Sequence, residues 1–392
     1  MSSPCAATLI GTSLIAILAT GNAVAAGDIT VITFGRADQA ALTQAYYGSF
    51  SKSTGIAVKS ASYDGQTTEL EQMVKSGKPV WDVMQVESRT LQLGCQAGLF
   101  EKLDLARIAG LNDFIPGAVS DCGVGIFAWS VALAYDPEKI GGAPASWADF
   151  WDTKKYPGKR GLRRTAKYTL EIALLSDGVP PGDVYQLLAT REGADRAFAR
   201  LEQIKPDILW WEAAPQPAAF LVAGKLVMTS AYTLWIDRER QRQKNLRIAW
   251  DGSLYDVDSW AIPKGTPRVA EAYRFIAFAS RPEYQKVLSE NIAYGPANKK
   301  ALPLLDSKLA RTMPSAEINL KRALKVDIAF WIRHGDELEK RFDAWAPAIC
   351  RQQVEEHDDD YEDQASCQDA QGNIRTQKVD PAQGHRDPQH KH

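Results

Sequence analysis

The chain has 392 residues with 46 basic and 48 acidic side chains, and its formal charge of −2 offers no basic field for nucleic acid. Four of its five histidines (His357, His385, His390, His392) lie in a polar tail. His334 alone remains in the body, which argues against triad hydrolysis and His-ligated metal chemistry and puts binding ahead of catalysis, with no cofactor expected.

Residues 9–20 form a short apolar run, and Ala23-Val24-Ala25-Ala26 follows as a small-residue cleavage site. This predicts a secretory signal over 1–26 and a periplasmic protein, although residues 1–8 hold neither Lys nor Arg. About 365 residues remain, enough for two domains at roughly 100–200 residues each. Strands are predicted at 29–34, 56–60 and 81–86, with helices at 37–50 and 66–75 between them. That alternation argues for a parallel sheet covered on both faces, with ligands bound beyond the carboxyl ends of its strands, near Phe34-Gly35-Arg36 and Val86-Glu87-Ser88-Arg89. The texture repeats downstream: a short helix at 147–151, an amphipathic helix at 193–204, and strands at 208–211, 226–230 and 246–250. A strand at 257–262, a helix at 267–279 and a long helix at 326–345, broken at Gly335, complete the body. From about 351 onward the composition is acidic and polar, and residues 348–392 are expected to be a largely disordered tail.

After the signal, four cysteines remain in an exported chain, which suggests disulfides. Three pairings are open. Short loops favour Cys95–Cys122 with Cys350–Cys367, and buried free thiols are the alternative. No phosphate loop, zincin helix, nucleophile elbow or dinucleotide fingerprint occurs. Asp256 and Asp258 are two apart on a predicted strand and so share a face.

The order and spacing of several segments resemble the solute-binding proteins of bacterial ABC importers, in particular the spermidine/putrescine-binding group. These segments are 29–34, Trp81-Asp82-Val83 through Leu103-Asp104, Ala134-Tyr135-Asp136, Trp147-Ala148-Asp149-Phe150-Trp151, Asp258 to Gly265, and Tyr294-Gly295-Pro296-Ala297-Asn298-Lys299. The resemblance implies a two-lobed α/β fold of type II, with ligand trapped at the lobe interface. The first lobe is expected over 27–134 and 257–299, the second over 135–256 and 300–347. It also implies an inner-membrane ABC permease as partner and a monomeric state. Carried over by position, Phe34 takes the first-strand aromatic place, Asp258 the carboxylate place on the returning strand, and Tyr294 the tyrosine place. Glu87 stands where the group presents a small hydroxyl residue, and Tyr232 lies near the usual tryptophan. Acidic groups there meet ammonium ions and rings flank the methylenes.

Two departures matter. Arg36 stands where the group has an acidic residue after the first strand, and Leu234, with Asp237 nearby, stands where it has another a few positions past Ser230; Arg89 also points toward the same cleft, with Arg163 and Arg164 at the mouth of the second lobe. Arginine suits bidentate carboxylate recognition. A zwitterion such as an ω-amino acid therefore competes with a plain polyamine, the polyamine standing slightly ahead. An exported hydrolase using Glu87, Asp256 or Asp258 is the alternative of a different class. Ferric-ion binding rests only on the adjacent pair Tyr46-Tyr47.

Overall fold

The computed structural model describes residues 27–346, the side chains of 36–38 excepted, together with the backbone of three short strands beyond them. The expected signal at 1–26 and most of the tail lie outside the described residues.

Eight of the ten strands of the main sheet lie side by side: β1 (Ile29–Thr33), β2 (Val58–Ser62), β3 (Val83–Val86), β4 (Gly123–Tyr135), β5 (Arg160–Arg163), β6 (Ile208–Trp211), β7 (Met228–Tyr232) and β8 (Arg247–Ala261). Their order is β2-β1-β3-β8-β4-β7-β5-β6. Two parallel sets, β2-β1-β3 and β6-β5-β7, lie at the two ends, and β8 and β4 run antiparallel between them. The parallel strands are short; β3 (Val-Met-Gln-Val) is buried throughout, as a strand covered on both faces requires, while the edge strand β2 (Val-Lys-Ser-Ala-Ser) is largely exposed.

β4 and β8 are the passages between lobes. They pair along most of their length, but the register shifts between Val131 and Leu133, where residues 250–253 of β8 have no partner in β4. Gly252 takes φ 71° at that point, and Trp147 Nε1 donates to its carbonyl at 2.8 Å. The two strands predicted at 246–250 and 257–262 are therefore one strand, because the Asp-Gly-Ser interruption is bridged by continued pairing on either side.

The first lobe's core gathers Tyr46, Phe50, Trp260 and Phe275 edge to face. The second gathers Trp147, Phe150, Leu170, Phe330 and Phe342. A third passage follows at β10 (Leu324–Lys325), which pairs with β8, while β9 (Gly295–Pro296) pairs with β4. Residues 300–323, expected with the second lobe, pack instead with the first: Leu320 and Ala323 lie against its core, and Lys300 pairs with Asp113 at 2.7 Å. The closing helix Ile328–Trp345 begins at Asp327, which accepts from the Phe330 N–H at 2.9 Å. Gly335 does not break it. It sits on the buried face of the helix, where a Cβ would make only an ordinary contact with Trp331 at 3.5 Å.

Cys95 and Cys122 are bonded, tying helix Ser88–Gln96 to the start of β4. Beyond the body, β11 (Cys350–Gln352), β12 (Gln364–Gln368) and β13 (Ile374–Lys378) form an antiparallel sheet whose register sets Cys350 opposite Cys367. A denatured, unreduced chain starting at Gly27 is accordingly expected to show no titratable thiol. Two thiols would leave Cys350 and Cys367 unbridged.

Candidate functional site

Carboxyl ends of parallel strands from both lobes converge on one cavity of about 550 Å³. β1 delivers Phe34, β3 delivers Glu87, β5 delivers Arg163 and β7 ends on Tyr232. The passage strands add Phe127, Trp129 and Ser130 from β4 and Asp258 from β8. Of the residues singled out in the sequence, Phe34, Glu87, Tyr232, Asp258 and Tyr294 thus line a single space. Arg89 does not. It lies exposed on helix Ser88–Gln96, away from the lining, because the chain turns into the helix directly after Glu87. The Arg36 side chain is outside the described ones. Trp210, Trp211 and Trp260 pack in or against the cores.

Aromatic rings form the walls. Tyr294 stacks on Phe127 with ring centres 4.0 Å apart, and Phe34 stacks on Tyr63 at 5.0 Å. Trp129, Tyr168 and Tyr232 make a triangle of tilted and edge-on contacts at 5.7–6.4 Å. Tyr168 adopts φ 74°, a costly conformation for a non-glycine residue. Its neighbours hold it there. Thr165 Oγ1 donates to the Lys167 carbonyl at 2.8 Å, and Thr169 Oγ1 to that of Arg163 at 2.8 Å. Glu339 on the last helix accepts from the Ala166 and Lys167 N–H groups at 2.8 and 3.1 Å.

The charges are sorted by lobe. Asp258, 5% exposed, accepts from Gln85 Nε2 at 2.8 Å on one oxygen and from Trp129 Nε1 at 3.0 Å on the other. Burial, and next the charge of Glu87, hold its carboxyl well above the ordinary range. Glu87 sits at the N-cap of helix Ser88–Gln96 but spends no oxygen on capping it, and it has no hydrogen-bond or ion-pair partner among the described residues. It is open to the cleft yet enclosed by protein from both lobes, and that desolvation raises it, against the opposing pull of Lys167. Asp256, one residue pair along β8, accepts from Ser88 Oγ at 2.6 Å.

Across the cavity, Arg163 donates to the Tyr232 hydroxyl at 2.8 Å, and its Nε is buried without a partner. Lys167 lies 5.1 Å from the Tyr168 ring centre; burial lowers its affinity for a proton, while Asp256, Glu171 and Glu87 raise it. Glu339, the remaining carboxylate on the wall, is committed to backbone amides. The cavity therefore sets the carboxyl groups of Glu87 and Asp258 on one side and the cationic groups of Arg163 and Lys167 on the other, between aromatic faces. A larger space of about 870 Å³ lies between helix Ser88–Gln96 and the third passage, but Tyr185 is its only aromatic lining residue and it has no such sorting of charge.

Gln85, Trp129, Lys167 and Tyr168 go unrecognised in the sequence. The rule that finds Phe34 and Glu87, which looks at the residues just past each parallel strand, reaches Arg163 and Lys167 when applied to β5.

Residues 45–314 match the family described as bacterial extracellular solute-binding protein. The chain is 51% identical over 318 residues to the gamma-aminobutyric acid-binding protein of Pseudomonas aeruginosa, a match covering 81% of this chain and 90% of that one. A solved GABA receptor aligns with a TM-score of 0.71 at 29% identity over 84% of this chain and 100% of that one. The spermidine/putrescine-binding periplasmic protein of Escherichia coli K12 is 22% identical over 275 residues, 67% of this chain and 76% of that one. Two α/β lobes joined by crossing strands around a charge-sorted cavity are the type II binding-protein architecture, and the chain belongs to the bacterial extracellular solute-binding proteins.

Proposed function

We propose that this protein is the periplasmic binding subunit of an ABC importer, and that its solute is an ω-amino acid of the γ-aminobutyrate type. The observation that carries this is the sorting of charge: Glu87 and Asp258 on the first lobe face Arg163 and Lys167 on the second across one cavity. A zwitterion with ammonium and carboxylate at opposite ends neutralises both sides. A diamine leaves Arg163 and Lys167 confronting a second cation, and a like charge in a desolvated site is costly. The relative at 51% identity is named for γ-aminobutyrate, which supports the same order and reverses the slight preference for polyamines. Hinge closure about β4 and β8 buries the solute, and the loaded form is what an inner-membrane permease reads.

Melting curves and calorimetry of the purified protein with γ-aminobutyrate, putrescine, spermidine and butyrate test this. A solute at a hundred times its Kd stabilises by about 2.7 kcal/mol. γ-Aminobutyrate is expected to raise the melting temperature most and to be recovered unchanged. Stabilisation by putrescine alone would overturn the zwitterion reading, and conversion of the solute would overturn the transport reading.

A further inference from the structure

Gln85 is not a strand-end residue and no carboxylate of its own marks it, yet it lines the cavity with 2% of its surface exposed. Its backbone carbonyl accepts from the Tyr63 hydroxyl at 2.7 Å, which fixes β3 at this point. Its side-chain Nε2 donates to Asp258 Oδ2 at 2.8 Å, while Oε1 is buried and has no partner among the described residues. The second oxygen of Asp258 is already taken by Trp129 Nε1, a group that can only donate. Once a solute ammonium enters and offsets the burial and the Glu87 charge that hold the Asp258 carboxyl well above its ordinary range, Asp258 is ionised and can only accept, so Nε2 faces it and Oε1 is left as the unused acceptor.

An unpaired buried carbonyl oxygen costs about 1–3 kcal/mol, a cost that a donor entering the cavity removes. Glu87, also without a partner among the described residues, lies on the same lobe, at the end of the same strand. We propose that Gln85 is a ligand-binding residue: its Oε1 accepts an N–H of the solute ammonium beside Glu87, and Asp258 acts mainly as the positioning residue that aims the amide and supplies negative charge behind it. This deepens the amine half of the reading above and rests on it. It also changes the part played by Asp258, whose two oxygens are occupied before any solute arrives. A site that orients a neutral acceptor with a buried anion discriminates against solutes lacking N–H donors, because these leave Oε1 unpaired.

The test compares wild type with Gln85→Met, which keeps the length of the side chain without its amide, and Gln85→Glu, which keeps an acceptor. Affinities for γ-aminobutyrate and for putrescine are measured by calorimetry, and melting curves establish that each variant is folded; Gln85→Leu replaces Gln85→Met if the latter does not melt cooperatively. Gln85→Met is expected to weaken whichever amine the wild type binds by roughly tenfold to a hundredfold, the usual worth of a hydrogen bond to a charged group. Gln85→Glu is expected to stay within about threefold of wild type, because the acceptor persists. Wild-type affinity in Gln85→Met, or equal losses in the two variants, overturns the assignment. The two ligands separate this from the zwitterion reading. If the wild type takes putrescine and not γ-aminobutyrate, that reading falls while a loss of putrescine binding in Gln85→Met still supports Gln85. A wild type that binds neither amine overturns both.

Discussion

Arg163→Met is expected to weaken γ-aminobutyrate binding by about 2–5 kcal/mol, roughly thirtyfold to several thousandfold, the range for removing one partner of a desolvated charge pair. The residue stands at the carboxyl end of β5, where the main chain pairs with Trp211 of β6, while β7 pairs with β5 at Arg160 and Gly161. Its guanidinium already spends one donor on the Tyr232 hydroxyl and keeps Nε buried and unpaired, so the group is oriented before the solute arrives. Three rings, those of Tyr168, Trp211 and Tyr232, lie 5.6–5.9 Å from its central carbon and restrict its movement further. Such preorganisation is what lets a fork of donors take a carboxylate without a large entropic cost. Lysine at this position would keep the charge and lose the fork, so Arg163→Lys should recover only part of the affinity.

The reverse-charge variant sharpens the test. Arg163→Glu places a carboxylate where the solute carboxylate is proposed to lie, and the cavity then has anions at both ends. γ-Aminobutyrate binding should vanish, and putrescine should bind more tightly than it does to wild type. Calorimetry with both ligands reads the outcome directly. If Arg163→Met binds γ-aminobutyrate as wild type does, the carboxylate is held elsewhere and the charge-sorted reading is lost.

Much of this site is legible in the sequence because parallel strands end where ligands bind. Phe34 and Glu87 follow β1 and β3, and the strand-end rule needs only the strands. The rest is hidden for physical reasons. β4 reads Gly-Val-Gly-Ile-Phe-Ala-Trp-Ser-Val-Ala-Leu-Ala-Tyr, and nearly every residue is buried. A strand covered on both faces shows no alternation, and with many small residues it carries no strand signature, so Trp129 has no predicted element to sit on. Lys167 and Tyr168 enter the cavity through a backbone kink at φ 74° that no propensity anticipates. It is imposed by Glu339, 172 residues beyond Lys167 in the chain, and by two threonine hydroxyls. A contact across so long a stretch of chain is a tertiary fact, and so is a register shift. The turn-like residues 250–253 suggest two strands for the same reason: only pairing with β4 shows that β8 passes through them.

Glu171→Gln should remove a pH dependence of stability worth about 3 kcal/mol. Glu171 is fully buried on the helix that begins at Ala166, one turn beyond Lys167. Trp331 Nε1 and the Tyr185 hydroxyl both donate to its Oε1, at 2.7 and 3.0 Å, and Oε2 has no partner. Burial outweighs these hydrogen bonds and pushes the carboxyl from 4.5 to about 7. The folded chain therefore holds this proton in a range where the unfolded chain has released it. Stability from this group is complete below about pH 4.5 and is lost as pH rises through about 7. Denaturant titrations of wild type and Glu171→Gln at pH 5.5 and 8.5 should show the wild type losing ground at the higher pH relative to the variant. Glu87, Asp256 and Asp258 are raised as well and contribute a slope of the same sign, but they are present in both proteins and cancel in the difference. Parallel pH profiles would mean that Glu171 stays ionised in its pocket. The position of the group gives the result a functional edge, because Glu171 joins the last helix to the helix carrying Lys167, and its charge is one of those that keep Lys167 protonated. Neutralising it in Glu171→Gln removes that support, so a measurable drop in γ-aminobutyrate affinity should accompany the gain in stability at pH 8.5.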